Sequence, residues 1–407
     1  NRRNSDQRRQ SAKTGEFQVM TTARKKKILF LTGTRADFGK QKTLMQAVKD
    51  DPAFECHIFA TGMHMLERYG STYLEIRKCG FDHIFVFFNQ MLNTSSDMDM
   101  VLANTISGLS HYIREFRPDM IVVHGDRVET LAGAIVGALN NILVAHIEGG
   151  ELSGTVDELL RHSVSKLAHI HFVANTEAKN RLIQMGEIPN NIYIIGSPDI
   201  DIVLSDKLPE LKDARLRYDI PFEHYSIFCY HPVTTEIDRL QHDAREIIAA
   251  LIESGRNYLV IYPNNDNGSE IILDELLKLK GHPNFKLNSS FRFEYYLTLL
   301  KYADALVGNS SAGIHEAPVY GVPTVNIGSR QRNRFKHQSI FDVEAVKTDI
   351  LQILNTLPEH FSPCLHFGSG NSAEMFIHNL RSDSIWHTAP QKQFRDLVAL
   401  PPESAKP

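Results

Sequence analysis

Cysteine is scarce in this chain: four residues in 407, Cys56, Cys79, Cys229 and Cys364, with no two in C-x-x-C spacing. A thiolate zinc motif and a dithiol redox motif are thereby excluded, and reduced thiols in a cytoplasmic protein are expected. Long apolar runs are also lacking; none approaches the roughly 18 residues of a membrane-spanning helix. Excess charge of one sign is missing. Forty-four Lys and Arg against 48 Asp and Glu leave a net charge of -4, which gives no basic face for nucleic acid or an anionic membrane. Residues 1–24 are polar and basic, with Arg2, Arg3, Arg8, Arg9 and Arg24, and hold no apolar segment. A disordered leader is expected there, not a signal peptide. The first strand-to-helix turn, Thr32 to Lys40, is not G-x-G-x-x-G, so no dinucleotide cofactor is expected. No metal is expected either, because histidines and acids nowhere take metal-ligand spacing.

What the sequence does have is alternation. Short apolar runs (Lys27 to Leu31, Cys56 to Thr61, Met120 to Val123, Ile142 to Ala145, His169 to Val173, Ile192 to Ile195) are separated by helical periods. The polar stretch Leu204 to Tyr225 interrupts the pattern, which restarts at Ser226 to Tyr230, Tyr258 to Tyr262, Phe285 to Leu287, Asp304 to Val307 and Pro323 to Ile327. Strand–helix alternation argues an α/β fold with parallel, doubly wound sheets. At this length two domains are expected. The reading is two Rossmann-like domains facing across a cleft, 25–200 and 201–368, then a helix over 369–382 that crosses the hinge, and a loose tail at 383–407.

The stretch from His124 to His162 organises the rest. One strand ends in His124-Gly125-Asp126-Arg127 and the next in His146, Glu148, Gly149 and Gly150; a helix capped by Ser153 or Thr155 then puts Asp157 and Arg161 on one face. In an open α/β sheet, ligands sit outside the carboxyl ends of the strands. Acids, histidines and arginines are therefore delivered to one rim. Arg35, beside a helix start, suits a phosphate, or pairs locally with Asp37. His64 lies on a loop, where a structural role competes with a direct one. In the second half, Gly308-Asn309-Ser310-Ser311-Ala312-Gly313 offers backbone N–H groups and hydroxyls to a diphosphate, with Glu316 placed to accept from a ribose. His231, at a strand end, is either a diphosphate or proton-transfer group or a satisfied core histidine. Asn264 and Asp266 are turn formers or ligand contacts. Among Arg330, Arg332 and Arg334, only Arg330 lies close to a strand end.

These motifs together resemble the hydrolysing UDP-N-acetylglucosamine 2-epimerases. The likeness rests on T-R-A-D at Thr34, H-G-D-R at His124, H-I-E-G-G-E-x-S-G-T-x-D at His146 and R-H-x-x-x-K-L-A-H at Arg161. It continues through H-P-V-T-T at His231, G-N-S-S-x-G at Gly308 and G-S-R-Q at Gly328, in one order between Lys26 and Leu380. Gly39 stands where some members carry serine. The non-hydrolysing relatives carry H-x-E-A-G-L-R where this chain has H-I-E-G-G-E.

The resemblance implies a GT-B-like fold, a UDP-sugar substrate, no cofactor, and a homodimer or homotetramer. It implies elimination of UDP to a 2-acetamidoglucal, then hydration to N-acetylmannosamine for sialic acid biosynthesis. Asp126, Glu148 and Asp157 would transfer protons, with His231 assisting. Arg127 and Arg161 would orient the carboxylates, Arg35, Ser310 and Ser311 would hold the diphosphate, and Glu316 the ribose; Asn264, Asp266, Gly313 and Arg330 complete the binding set. The alternatives are a hydrolysing 2-epimerase of UDP-N,N'-diacetylbacillosamine, a GT-B glycosyltransferase and a non-catalytic sugar-nucleotide sensor.

Overall fold

The computed structural model describes residues 24–90, 98–153, 156–264 and 266–397. The expected leader up to residue 23, the capping position Thr155 and the last ten residues lie outside the described residues.

Seven strands form the first sheet: β1 (Lys26–Thr32), β2 (Phe54–Ala60), β3 (His83–Val86), β4 (Met120–His124), β5 (Leu143–Ile147), β6 (Ile170–Val173) and β7 (Ile192–Ile194). Six form the second: β8 (Ser226–Cys229), β9 (Tyr258–Ile261), β10 (Phe285–Asn288), β11 (Leu306–Gly308), β12 (Thr324–Ile327) and β13 (Ile340–Val343). Their spatial orders are β3-β2-β1-β4-β5-β6-β7 and β10-β9-β8-β11-β12-β13, parallel throughout. Each order reverses direction once, between β1 and β4 in the first sheet and between β8 and β11 in the second. A crevice opens at such a switch point beyond the strand ends. The central strands are buried along their whole length, as in β4 and β5, because helices cover both faces.

Local signals fix the elements that lead into the crevice. Thr34 caps the helix Arg35–Asp50, its hydroxyl accepting from the Asp37 N–H at 3.0 Å. Gly308 closes β11 with φ +127°, and a Cβ there would lie 2.0 Å from the Cys229 carbonyl oxygen. Only glycine lets the chain turn past β8 so closely.

The last helices return to the first sheet. In the helix Ser372–Leu380, Phe376 and Leu380 are fully buried in the core beneath β1 and β6, each worth about 1.5–3 kcal/mol on leaving water. The N–H groups of Ser372 and Ala373 both donate to Asp201 at 2.8 Å. The described part of the region expected to be a loose tail is instead anchored. Asp383–Trp386 is helical, Trp386 stacks on Phe54 at 6.2 Å, and Lys392 donates to the Ala168 carbonyl at 2.6 Å. Aromatic and charged anchors hold this segment where no periodicity announces it. The connection between lobes also contains a helix, Leu211–Tyr218.

Candidate active site

The two crevices face each other and enclose a cavity of about 320 Å³. From β1 and β4 come Arg35, Lys40, His124, Asp126 and Arg127; Glu148 follows β5, and Asp157 and Arg161 stand on the helix Val156–Leu167. From the second lobe come His231 and Asn264, the Ser310–Ser311 turn with Glu316, and Arg330 and Arg334.

Glu148 lies at φ +62°, a left-handed conformation uncommon for a residue with a side chain. The sharp turn carries its carboxylate sideways to His124, with Oε2 3.4 Å from Nε2, and Ser197 donates to its other oxygen. The opposite ring nitrogen of His124 is 2.9 Å from Asp37 Oδ1. Burial disfavours charge on this imidazole, but Glu148 and Asp37 outweigh that and raise its pKa to about 10. Burial likewise opposes ionisation of Glu148, yet His124, Lys40 and His315 hold it well below the usual carboxylate range. The outcome is an imidazolium between two carboxylates.

Asp126 is gripped by the fully buried Arg161, whose other nitrogen donates to the Glu148 carbonyl at 2.8 Å. Against burial, Arg161, Arg334 and Arg330 lower the pKa of Asp126. The turn beneath it is fixed by His146, whose Nε2 donates to the Gly125 carbonyl at 2.8 Å while Nδ1 accepts from Ser165 at 3.0 Å. Burial keeps that imidazole neutral, with a pKa of about 3. Ion pairs then cross the gap. Arg330 meets Asp157 at 3.1 Å, while Arg334 and His315 meet Glu151 at 2.9 and 3.0 Å.

On the second lobe the His231 ring accepts at Nδ1 from the Asn264 N–H at 3.0 Å, so its proton resides on Nε2. Burial, then Arg330 and Arg127, hold this imidazole neutral and make it a hydrogen-bond donor. Ser310 caps a 3-10 turn, Ser311–Gly313, and the helix after it, Ala317–Tyr320, has four residues. With so short a helix, the loop's donors are its hydroxyls and N–H groups more than a helix dipole.

A cation could also be held. Donor atoms of Glu148, Asp199 and His315 lie within 4.8 Å of one another, a trio that no sequence spacing announces. Lys40, 2.9 Å from Asp199 and 3.3 Å from Glu316, already supplies positive charge there.

The model of the family described as UDP-N-acetylglucosamine 2-epimerase matches residues 46–381. The chain belongs to this family. It is 47% identical over 377 residues to the UDP-N-acetylglucosamine 2-epimerase of Neisseria meningitidis serogroup B, covering 91% of this chain and 99% of that protein. To the hydrolyzing UDP-N,N'-diacetylbacillosamine 2-epimerase of Legionella pneumophila it is 32% identical over 355 residues, 86% and 94% of the two chains. Among solved structures, the UDP-GlcNAc 2-epimerase of Methanocaldococcus jannaschii, in complex with UDP-GlcNAc and UDP, superposes with a TM-score of 0.73. It is 20% identical and spans 87% of this chain and 99% of that one, a likeness of fold. The fold is GT-B-like, as expected.

Of the fourteen residues given a catalytic or binding role from the sequence, twelve line the main cavity: Asp126, Glu148, Asp157, His231, Arg35, Arg127, Arg161, Asn264, Ser310, Ser311, Glu316 and Arg330. Two do not. Gly313 is a packing glycine, since a Cβ there would meet Thr324 Cγ2 at 2.5 Å. Asp266 accepts from the Asn264 side chain and faces a smaller adjoining hollow. Arg35 pairs with Glu75 at 2.8 Å and reaches Ser290 of the other lobe at 2.7 Å, so the local pairing with Asp37 does not form. Arg127 pairs with Glu129 at 3.3 Å, and Asp157 is held by Arg330. His64 hydrogen-bonds Thr32 and Thr72 in the core and is structural. Sequence reasoning gave no role in the site to Asp37, Lys40, Glu151, Asp199, His315 and Arg334, and it brought His124 to the rim without assigning it one. His124 and Glu151 stood inside quoted motifs, a usable signal; Asp199 and His315 had none.

Proposed function

We propose that the chain is a hydrolysing 2-epimerase that converts UDP-N-acetylglucosamine and water to UDP and N-acetylmannosamine, for sialic acid biosynthesis. The observation that carries this reading is the common cavity, with three acids on one wall and the Ser310–Ser311 turn, His231 and Arg330 on the other. A diphosphate held on the second wall puts the sugar's C1 and C2 against the acids. One carboxylate takes the C2 proton while the C1–O bond breaks toward UDP, giving the 2-acetamidoglucal; water then adds its oxygen to C1 as a proton returns to C2. Asp126, Glu148 and Asp157 transfer these protons. His231, donating from Nε2, and Arg330 stabilise the leaving diphosphate. Arg35 and the two serines bind the same group, and Glu316, paired with Lys40, accepts from the ribose. Arg161 orients Asp126. The reading includes no cofactor, a cytoplasmic enzyme and a homodimer or homotetramer. Among the described residues no helix is long and apolar enough to cross a membrane.

The likeness to the Legionella protein favours one second reading, the same chemistry on UDP-N,N'-diacetylbacillosamine. Product analysis by NMR in heavy water, with each sugar nucleotide in turn, decides between them. Free N-acetylmannosamine carrying deuterium at C2 is expected from UDP-N-acetylglucosamine. Intact substrate would sink the proposal, and turnover of only the diacetylated sugar would move it to the second reading.

A further inference from the structure

On the reading just given, water must reach C1 of the glucal while the sugar fills the cavity and bulk solvent is excluded. Behind the acids lies a second hollow of about 20 Å³. Asp126, Arg127 and Asp157 belong to its wall and to the wall of the main cavity, so these side chains are the partition between the two spaces. The rest of its wall is made by Met98, Val101, Val128 and Leu160 together with Glu129 and Asp266. A space of ~10–15 Å³ accommodates one water when two to four polar partners face it, whereas a purely apolar space of that size stays dry. This hollow is large enough for one water, and its partition is polar. The Asp126 and Asp157 carboxylates accept hydrogen bonds and the Arg127 guanidinium donates them. Arg161 and Arg330 hold the two carboxylates in place from the cavity side.

We infer that this hollow holds the hydrolytic water, between Asp126 and Asp157, and delivers it to C1 of the bound 2-acetamidoglucal. The water oxygen bonds to C1, and one of its protons passes to a carboxylate of the partition. The C1–C2 π pair takes a proton from another acid of the site and becomes the new C2–H bond. N-acetylmannosamine is the glucal plus one water, so no oxidant or reductant enters.

Filling the hollow separates hydration from elimination. Val101 is 3% exposed, so a longer side chain there grows inward; Val101→Met adds on the order of one water's volume. Leu160→Phe fills the hollow from another helix and serves where Val101→Met does not fold. Leu159→Met, on the exposed neighbour, is the control, and melting temperatures establish that each variant is folded. With UDP-N-acetylglucosamine, wild type and control release UDP and N-acetylmannosamine in equal amounts. The filled variants release more UDP than N-acetylmannosamine, whose rate falls about ten-fold or more, and the vinylic proton of 2-acetamidoglucal appears by NMR. Equimolar products at the wild-type rate in a folded, filled variant would overturn the inference. So would an equal fall in both products without glucal. A wild-type enzyme that leaves UDP-N-acetylglucosamine intact fails the functional reading itself, visibly and before any variant is made.

Discussion

Arg330 Nη2 of the second lobe stands 3.1 Å from Asp157 Oδ2 of the first, and the pair closes the gap between the lobes on the cavity wall. A diphosphate bound there competes with Asp157 for the same guanidinium. Loss of this cation removes a charge-assisted contact to the nucleotide and one ion pair of the half-buried Asp157 carboxylate. For Arg330→Ala we expect UDP affinity to fall about 10- to 100-fold, as for other desolvated charge pairs. Titration calorimetry with UDP measures it. An unchanged Kd would remove Arg330 from the diphosphate site.

The acids make a different prediction from the arginine. Asp126 and Glu148 are ionised and act, on the proposed mechanism, only on the sugar. Asp126→Asn and Glu148→Gln keep shape and remove the proton acceptor. We expect turnover to fall by about 10² or more, with UDP binding within about two-fold of wild type. Wild-type rates in either variant would take that residue out of the chemistry.

Gly308 tests the turn itself. Its φ of +127° and the 2.0 Å approach of a built Cβ to the Cys229 carbonyl leave no room for alanine without moving β8 away from β11. Gly308→Ala should cost about 3 kcal/mol or more and displace Ser310 and Ser311. Urea unfolding and UDP titration should show both losses together. A stable variant that binds UDP normally would mean that the turn relaxes elsewhere.

Much of this was legible in the sequence. Buried strands such as β4 and β5 announce themselves as continuous apolar runs, and their charged ends follow directly, which is how Asp126 and Glu148 were found. The edge strands β3 and β13 were not read. Ile340–Val343 is short, half exposed and interrupted by Asp342, whereas His83–Val86 belongs to the apolar run Ile84 to Phe88, a signal that was available and passed over. The site's cross-links were hidden. Glu151 and His315 are 164 residues apart, and Asp157 and Arg330 are 173 apart. Sequence periodicity reports the face of an element and says nothing of which lobe a charge will meet. Trp386 and Lys392 show the same limit, since their anchors on Phe54 and the Ala168 carbonyl are tertiary.

His124 gives the pH dependence. Its imidazole pKa is raised to about 10 in the folded protein from an ordinary value near 6.5, through Glu148 and Asp37 acting against burial. The unfolded chain loses this proton first as pH rises. The stability it contributes is therefore complete below about pH 6.5 and is lost progressively toward pH 10. The carboxylates run the other way: Asp37 and Glu148 have lowered pKa values, so their contribution is present at neutral pH and is lost in acid. His124→Gln leaves both carboxylates buried without the cation and should lower stability by about 3 kcal/mol at neutral pH. The gap between wild type and variant should then narrow as pH approaches 10, where wild-type His124 also becomes neutral. Unfolding midpoints in urea between pH 6 and 10 follow this directly. A gap that stays constant across that range would mean His124 is not charged in the native protein.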